Sequence, residues 1–247
     1  MDFISIIGYI TGAGLIYFGM SQGNLFSVFI NAHGLVLVVG GTCAAVFVST
    51  PGARLLLALK ELKSVFFSGP DANYKGLIQE LMRMSERRHK EGAGALLNYV
   101  PSVPDKFLAL ALSSAANRPD ADHVAKVLEK AIRQSSALRL QAAAVFSNMG
   151  ILSPLFGLLG TIIGIVGVLK DITNPAGIGS AMAIAMTTAF YGIFISAFFC
   201  TPIANKIKAR AQEDRRRREF ILAGITDVLS GAIPLEIENH LNAYLEG

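Results

Sequence analysis

Charge is what this 247-residue chain lacks. Residues 3–53 contain no Asp, Glu, Lys or Arg, and neither do 142–169 or 172–205. Charged residues make up 16% of the chain, against roughly a quarter in a soluble domain, while 52% are hydrophobic and the mean hydropathy is +0.49. Together these absences exclude a soluble globular fold. Cysteine is scarce too: Cys43 and Cys200 both lie in apolar segments, which excludes a disulfide framework and points to small buried residues instead of metal ligands. Between residues 54 and 141 there is no glycine-rich phosphate loop, no His/Cys cluster and no triad-like set, so no residue argues for an enzyme. The net charge of +4 and pI near 9.1 could suggest nucleic acid. The densest basic run, Arg215–Arg218, follows shortly after the last apolar segment, where it reads as topology and a solvated helix face.

What is present is a set of long apolar runs. At 1.5 Å per residue the stretch 142–169 makes a helix of roughly 40 Å, longer than the ~30 Å hydrocarbon core. A second such run, GSAMAIAMTTAFYGIFISAFFCTPIAN, follows after the short polar turn KDITNPAGI. FISIIGYITGAGLIYFGM and HGLVLVVGGTCAAVFVST are shorter, near the lower limit for a span, and Met1-Asp2 offers no basic start of the kind a secretory signal has. The sequence therefore predicts an all-α integral membrane protein with four transmembrane helices. Spans 1 and 2 fall in 1–53, a cytoplasmic helical domain in 54–141, spans 3 and 4 in 142–205, and a cytoplasmic helical tail in 206–247, with the last two spans extended into the cytoplasm. Of the 22 Lys and Arg, 14 lie in 54–141, seven after Asn205, and one, Lys170, between the last two spans. The positive-inside rule then puts the middle domain, the tail and both termini in the cytoplasm.

The last two runs carry stripes of small residues. Gly157, Gly160, Gly164 and Gly167 recur at spacings of three and four, as do Ala181, Ala185, Thr188, Gly192 and Ser196. Each set lines one helix face, and such faces let membrane helices approach closely. They are expected to hold a ring of several copies together. Thr161, Thr187 and Thr188 add hydroxyls to otherwise apolar segments. No ionisable side chain other than His33, at an edge, lies within the four predicted spans. Intramembrane charges are costly, ~2.5–3.5 kcal/mol or more, and are kept for function. A chain of this kind that moves ions needs a partner to supply the titrating group.

These residues resemble the MotA/PomA family of flagellar stator subunits, within the wider MotA/TolQ/ExbB group. The resemblance runs through GGTCAAVFVSTP at 40–51, RRHKEG at 87–92, DKFLALAL at 105–112, MGILSPLFGLLGTIIGIVGVL at 149–169 and GSAMAIAMTTAFYGIFISAFFCTPIANKI at 179–207. It implies a ring-forming subunit of an ion-driven rotary motor, five copies around two copies of a single-span MotB-type partner in the bacterial inner membrane. The partner's carboxylate would take up H⁺ or Na⁺, with no cofactor, and the ring would turn against a flagellar rotor protein. By the same resemblance Thr161, Thr187 and Thr188 border the ion path, and Pro154 and Pro202 serve the torque-generating change. Arg87, Arg88, His89 and Lys90 are candidates for rotor contact. His89 stands in the family's usual Arg slot and Leu97, followed by Asn98, where Glu is expected, so the output machine is a variant rotor or a non-flagellar one.

Two other readings compete. A TolQ/ExbB-type energiser has three spans with its large loop after the first, whereas two apolar runs precede the loop here. A self-sufficient transporter or channel would need intramembrane charge or inverted repeats, and the sequence has neither.

Overall fold

The computed structural model describes residues 3–21, 29–66, 73–92, 94, 103, 105–170 and 173–246. The turn at 68–71 and the positions of Leu97, Asn98, Pro101 and Pro104 lie outside them. The described residues are helical: α1 (Phe3–Ser21), α2 (Ala32–Ser49), α3 (Gly52–Phe66), α4 (Tyr74–Glu91), α5 (Lys106–Asn117), α6 (Ala121–Lys170), α7 (Pro175–Ile195), α8 (Thr201–Ser230) and α9 (Pro234–Glu246). Two wider π turns interrupt the regular winding, Val36–Gly40 within α2 and Ser196–Cys200 between α7 and α8. The chain divides into two compact units, one of residues 1–69 and 139–209, the other of 70–138 and 210–247.

Among the described residues of the first unit, three helices are long and apolar enough to cross a membrane: Ala32–Ser49, the apolar part of Ala121–Lys170, and the helix beginning at Gly177. A shorter apolar helix, Ile6–Ser21, accompanies them. The unit is turned inside out by the standards of a soluble protein. Val48 is 90% exposed, Val36 71% and Ile151 64%, a density of outward apolar surface that water would not tolerate and lipid would. Its buried apolar cluster is built from small and medium side chains, among them Val46, Ala58, Ala142, Ala143, Ala204 and Ile207.

The second unit packs as a soluble domain does. Leu81, Leu108, Leu112, Leu128, Phe220, Ile221, Ile225, Ile237 and Leu241 are all fully buried in one cluster. The helix boundaries follow from local chemistry. Asn73 caps α4 by accepting from the Gly76 amide at 3.0 Å, and Asp105 caps α5 by accepting from Phe107 at 2.7 Å and Leu108 at 3.2 Å, satisfying donors that a helix start leaves open. Helix α8 ends at Gly231, whose φ of +87° lies in the left-handed region that only glycine adopts cheaply. Proline opens α9 at its first position, as its fixed φ favours. Gly224 lets α8 lie close to its neighbours, since a Cβ there would come within 2.5 Å of Leu81 Cδ1 and 3.2 Å of Leu241 Cδ1.

Candidate functional site: the interlocked helix pair

The two small-residue stripes meet each other within one chain. A Cβ at Gly160 would fall 2.5 Å from both Cβ and Oγ1 of Thr188, and one at Gly157 would fall 2.9 Å from the Thr188 carbonyl. At Gly164 it would meet Ala185 Cβ at 2.6 Å and the Ala181 carbonyl at 2.8 Å; at Gly167, Ala181 Cβ at 3.3 Å. From the other side, a Cβ at Gly192 would lie 2.6 Å from the Ser153 carbonyl and 3.0 Å from Pro154 Cα. Helices α6 and α7 thus touch nearly backbone to backbone, a distance reachable only where side chains are missing. The seam expected between copies of the chain is occupied by the chain's own next helix, because two complementary small faces joined by a short turn find each other first.

This packing decides what the threonines face. Thr187 and Thr188 are 1% and 0% exposed. The Thr187 hydroxyl donates to the carbonyls of Ala183 (2.9 Å) and Ile184 (3.1 Å), that of Thr188 to Ile184 (3.0 Å) and Ala185 (2.9 Å). Each is shared between two carbonyls one turn back, the way hydroxyls are satisfied inside an apolar helix. Thr161 is different: it is half-buried and donates to Leu158 at 2.6 Å, keeping its lone pairs nearer the surface of the unit.

The start of α2 closes over the threonine pair. Gly34 is buried there, and a Cβ on it would sit 3.0 Å from Thr188 Cγ2 and 3.5 Å from Thr187 Oγ1. Asn31 caps the helix by accepting from the Gly34 amide at 3.1 Å, while its own amide donates to the Tyr191 hydroxyl at 3.0 Å. That hydroxyl in turn donates to the Phe29 carbonyl. Tyr191 therefore pins the entry of α2 to α7 beside the threonines. Neither Gly34 nor Tyr191 stands out in the sequence, since one glycine beside His33 and one tyrosine in an aromatic-rich run carry no periodic signal.

At the other end of the seam lie the two prolines. Pro154 sits inside α6 and Pro202 follows directly on the π turn at Ser196–Cys200. Ser153 beside Pro154 is fully buried, and its hydroxyl has no partner among the described residues.

The basic group on α4 belongs to the second unit and divides into two. Arg88 is half-buried, and its guanidinium donates to the Val228 carbonyl near the C-terminal end of α8. There the cation joins the Gly231 amide on that carbonyl and meets the negative end of the helix dipole. Ser85 donates to the Ala232 carbonyl at 2.7 Å just beyond, so this face of α4 clasps the α8–α9 turn. His89 and Lys90 are exposed, as is Arg87; Nδ1 of His89 lies 2.9 Å from the Ser85 carbonyl. The run Arg215–Arg218 is similarly engaged: Arg217 pairs with Asp105 at 2.7 Å, Arg218 with Asp214 at 2.8 Å while lying 5.1 Å over the Phe107 ring, and Arg215 with Glu219 at 2.7 Å. The hydrogen bond to Glu219 raises the Arg215 pKa.

Among the described residues no group of three or more His, Cys, Asp or Glu is arranged to hold a metal ion. The site offers hydroxyls, carbonyls and apolar walls, which can line a path for a cation but cannot themselves bind and release a proton near neutral pH.

The family model described as the MotA/TolQ/ExbB proton channel family matches residues 100–220. Relatives align along nearly the whole chain. YtxD of Bacillus subtilis is 29% identical, covering 98% of this chain and 90% of YtxD, and the chemotaxis protein PomA of Vibrio alginolyticus is 28% identical, covering 99% and 96%. The structure of the flagellar MotAB stator complex from Bacillus subtilis superposes with a TM-score of 0.89 at 26% identity, over 99% of this chain and 95% of that one. The C. jejuni MotAB structure shares the fold at a TM-score of 0.90. With its glycine-seamed pair of apolar helices and this likeness from end to end, the chain resembles the MotA/TolQ/ExbB proton channel family, whose model matches just under half of it.

Proposed function

We propose that this chain is the ring-forming subunit of an ion-driven rotary motor of the flagellar stator type, working with a single-span partner of the MotB kind in the inner membrane. The observation that carries this reading is the seam between α7 and the charge-free stretch 142–169 of α6. That seam is built to close tolerance and bears hydroxyls but no carboxylate, amine, guanidinium or imidazole, in a fold shared from end to end with a flagellar MotAB stator complex. A chain so made can wall an ion path and cannot gate it, so the carboxylate that binds H⁺ or Na⁺ comes from the partner. Four spans are formed by α1, α2, the apolar end of α6, and α7 continuing into α8. Both termini and the second unit are cytoplasmic, as the distribution of Lys and Arg supports. Several copies, five by family resemblance, would surround the partner, and the cytoplasmic unit would push on a rotor. The TolQ/ExbB-type alternative fits less well, because two apolar helices precede α3.

Of the three hydroxyls proposed for the ion path, Thr161 is the one an arriving cation reaches without parting α6 from α7. Thr187 and Thr188 support the path from behind, holding the helix backbone in register against Gly160 and Gly34. Pro154 and Pro202 mark where the paired helices bend, and His89 and Lys90 are the exposed side chains proposed to reach the rotor. The test is ion-driven rotation or flux in cells carrying this chain and its partner. Losing a hydrogen bond to an ion costs ~1.5–3 kcal/mol, comparable with the ~2.3 kcal/mol released by one charge crossing 100 mV. Thr161→Ala should therefore cut flux by an order of magnitude or more with normal assembly, while Thr161→Ser retains most of it. Replacing Na⁺ by K⁺ at constant ionic strength identifies the ion. Flux in the alanine variant equal to that of the unaltered chain would remove Thr161 from the path.

A further inference from the structure

Proline at 154 withholds the N–H that a helix would direct at the carbonyl four residues back, which is that of Gly150. Gly150 is buried, so an unpartnered carbonyl there would be costly. The structure supplies another donor from a different helix: the Ser196 hydroxyl donates to the Gly150 carbonyl at 2.6 Å. The approach depends on the missing side chain at 150, where a Cβ would stand 3.2 Å from Thr201 Oγ1, 3.5 Å from Cys200 Cβ and 3.7 Å from Ser196 Oγ. Gly192, one turn before Ser196, lies against Ser153 and Pro154 just as closely. Ser196 is also where the second helix loosens. It opens the π turn, and the Thr201 amide reaches back five residues to the Ser196 carbonyl. π turns are rare and gather at functional sites.

We infer that Ser196 is a positioning residue that couples the two pore helices, its hydroxyl standing in for the amide that Pro154 lacks. The weak point of α6 and the widened turn ahead of Pro202 then form one joint. A bend at Pro154 cannot open without breaking or carrying the Ser196 bond, so movement of either helix is passed to the other. The role in torque rests on the rotary reading above; the bond itself does not.

The test is a double-substitution cycle on the full-length chain purified from membranes in mild detergent, read as the folded fraction against denaturant. With Pro154 in place, Ser196→Ala should lower the folded-to-unfolded ratio roughly five- to tenfold, the worth of one neutral hydrogen bond. With Pro154→Ala, the restored amide satisfies Gly150 and Ser196→Ala should cost less than about twofold. Equal losses in both backgrounds, or none in either, would overturn the inference, because a packing role for Ser196 is indifferent to the amide at 154. Ser196→Cys under reducing conditions keeps the volume but donates weakly and should behave as the alanine variant does; stability equal to the unaltered chain would also overturn it. In cells, Ser196→Ala should slow ion-driven rotation several-fold with the complex still assembled. Unchanged speed would remove Ser196 from the stroke, whereas failure of the unaltered chain to rotate at all would instead defeat the rotary reading.

Discussion

The close approach of Gly160 to Thr188 makes the strongest prediction. Gly160→Ala places a methyl carbon 2.5 Å from Thr188 Cβ, where carbon atoms rest at ~3.5–4.0 Å. Relief requires α6 and α7 to separate locally by roughly 1 Å, and a gap of 0.5–1 Å forfeits about a quarter to a half of each dispersion contact along the seam. Gly157, Gly164 and Gly192 lie on that seam and lose contact together, so the cost belongs at the upper end of the ~1–3 kcal/mol typical of overpacking. The assay is equilibrium unfolding of the chain in detergent. The clash also dictates the rescue. Thr188→Ala removes the Oγ1 and Cγ2 clashes but leaves Cβ in place and should restore stability only in part, whereas Thr188→Gly removes all three and should recover more of the loss in the double variant. The reasoning is refuted if Gly160→Ala unfolds at the wild-type midpoint, or if alanine at 188 rescues as well as glycine.

Two further expectations concern the second unit. Arg88→Ala removes a charge-assisted bond to the end of α8, worth ~1.5–3 kcal/mol in full and less here because the side chain is only half-buried. Faster proteolysis of the α8–α9 turn should report it, while Lys90→Ala, exposed on the same helix, should leave cleavage within the ±0.5 kcal/mol of ordinary surface changes. Burial, followed by the nearby Glu219 carboxylate, raises the Tyr244 pKa above 10.0. Because the folded state holds this proton more tightly than the unfolded state, the contribution is fully present below pH 10 and is lost as pH rises through the folded value. Tyr244→Phe should therefore flatten part of the fall in stability measured by unfolding above about pH 10; an unchanged alkaline profile would show that another group dominates.

Much about this protein was determined by the sequence alone. Uninterrupted apolar runs without charge can only be helices in lipid, since no water is present there to satisfy an open backbone. Lys and Arg counts predict sides by a rule that needs no contacts, and Gly231 and Pro234 marked the α8–α9 break because their backbone preferences are local. The small stripes were legible too, as spacing on one face. What the stripes touch was not, because periodicity names a face and leaves its partner open. Only the tertiary structure decided that the glycines of α6 close on Thr188 and Ala185 of the same chain, which turns Thr187 and Thr188 inward and leaves Thr161 nearer the surface. The same holds for Arg88, one of four neighbouring basic residues in sequence, whose guanidinium reaches the Val228 carbonyl in the last turn of α8. Ser196 is the clearest case. Its hydroxyl answers a proline forty-two residues away, and that kind of satisfaction, a donor from one helix completing the backbone of another, exists only once the two are packed together.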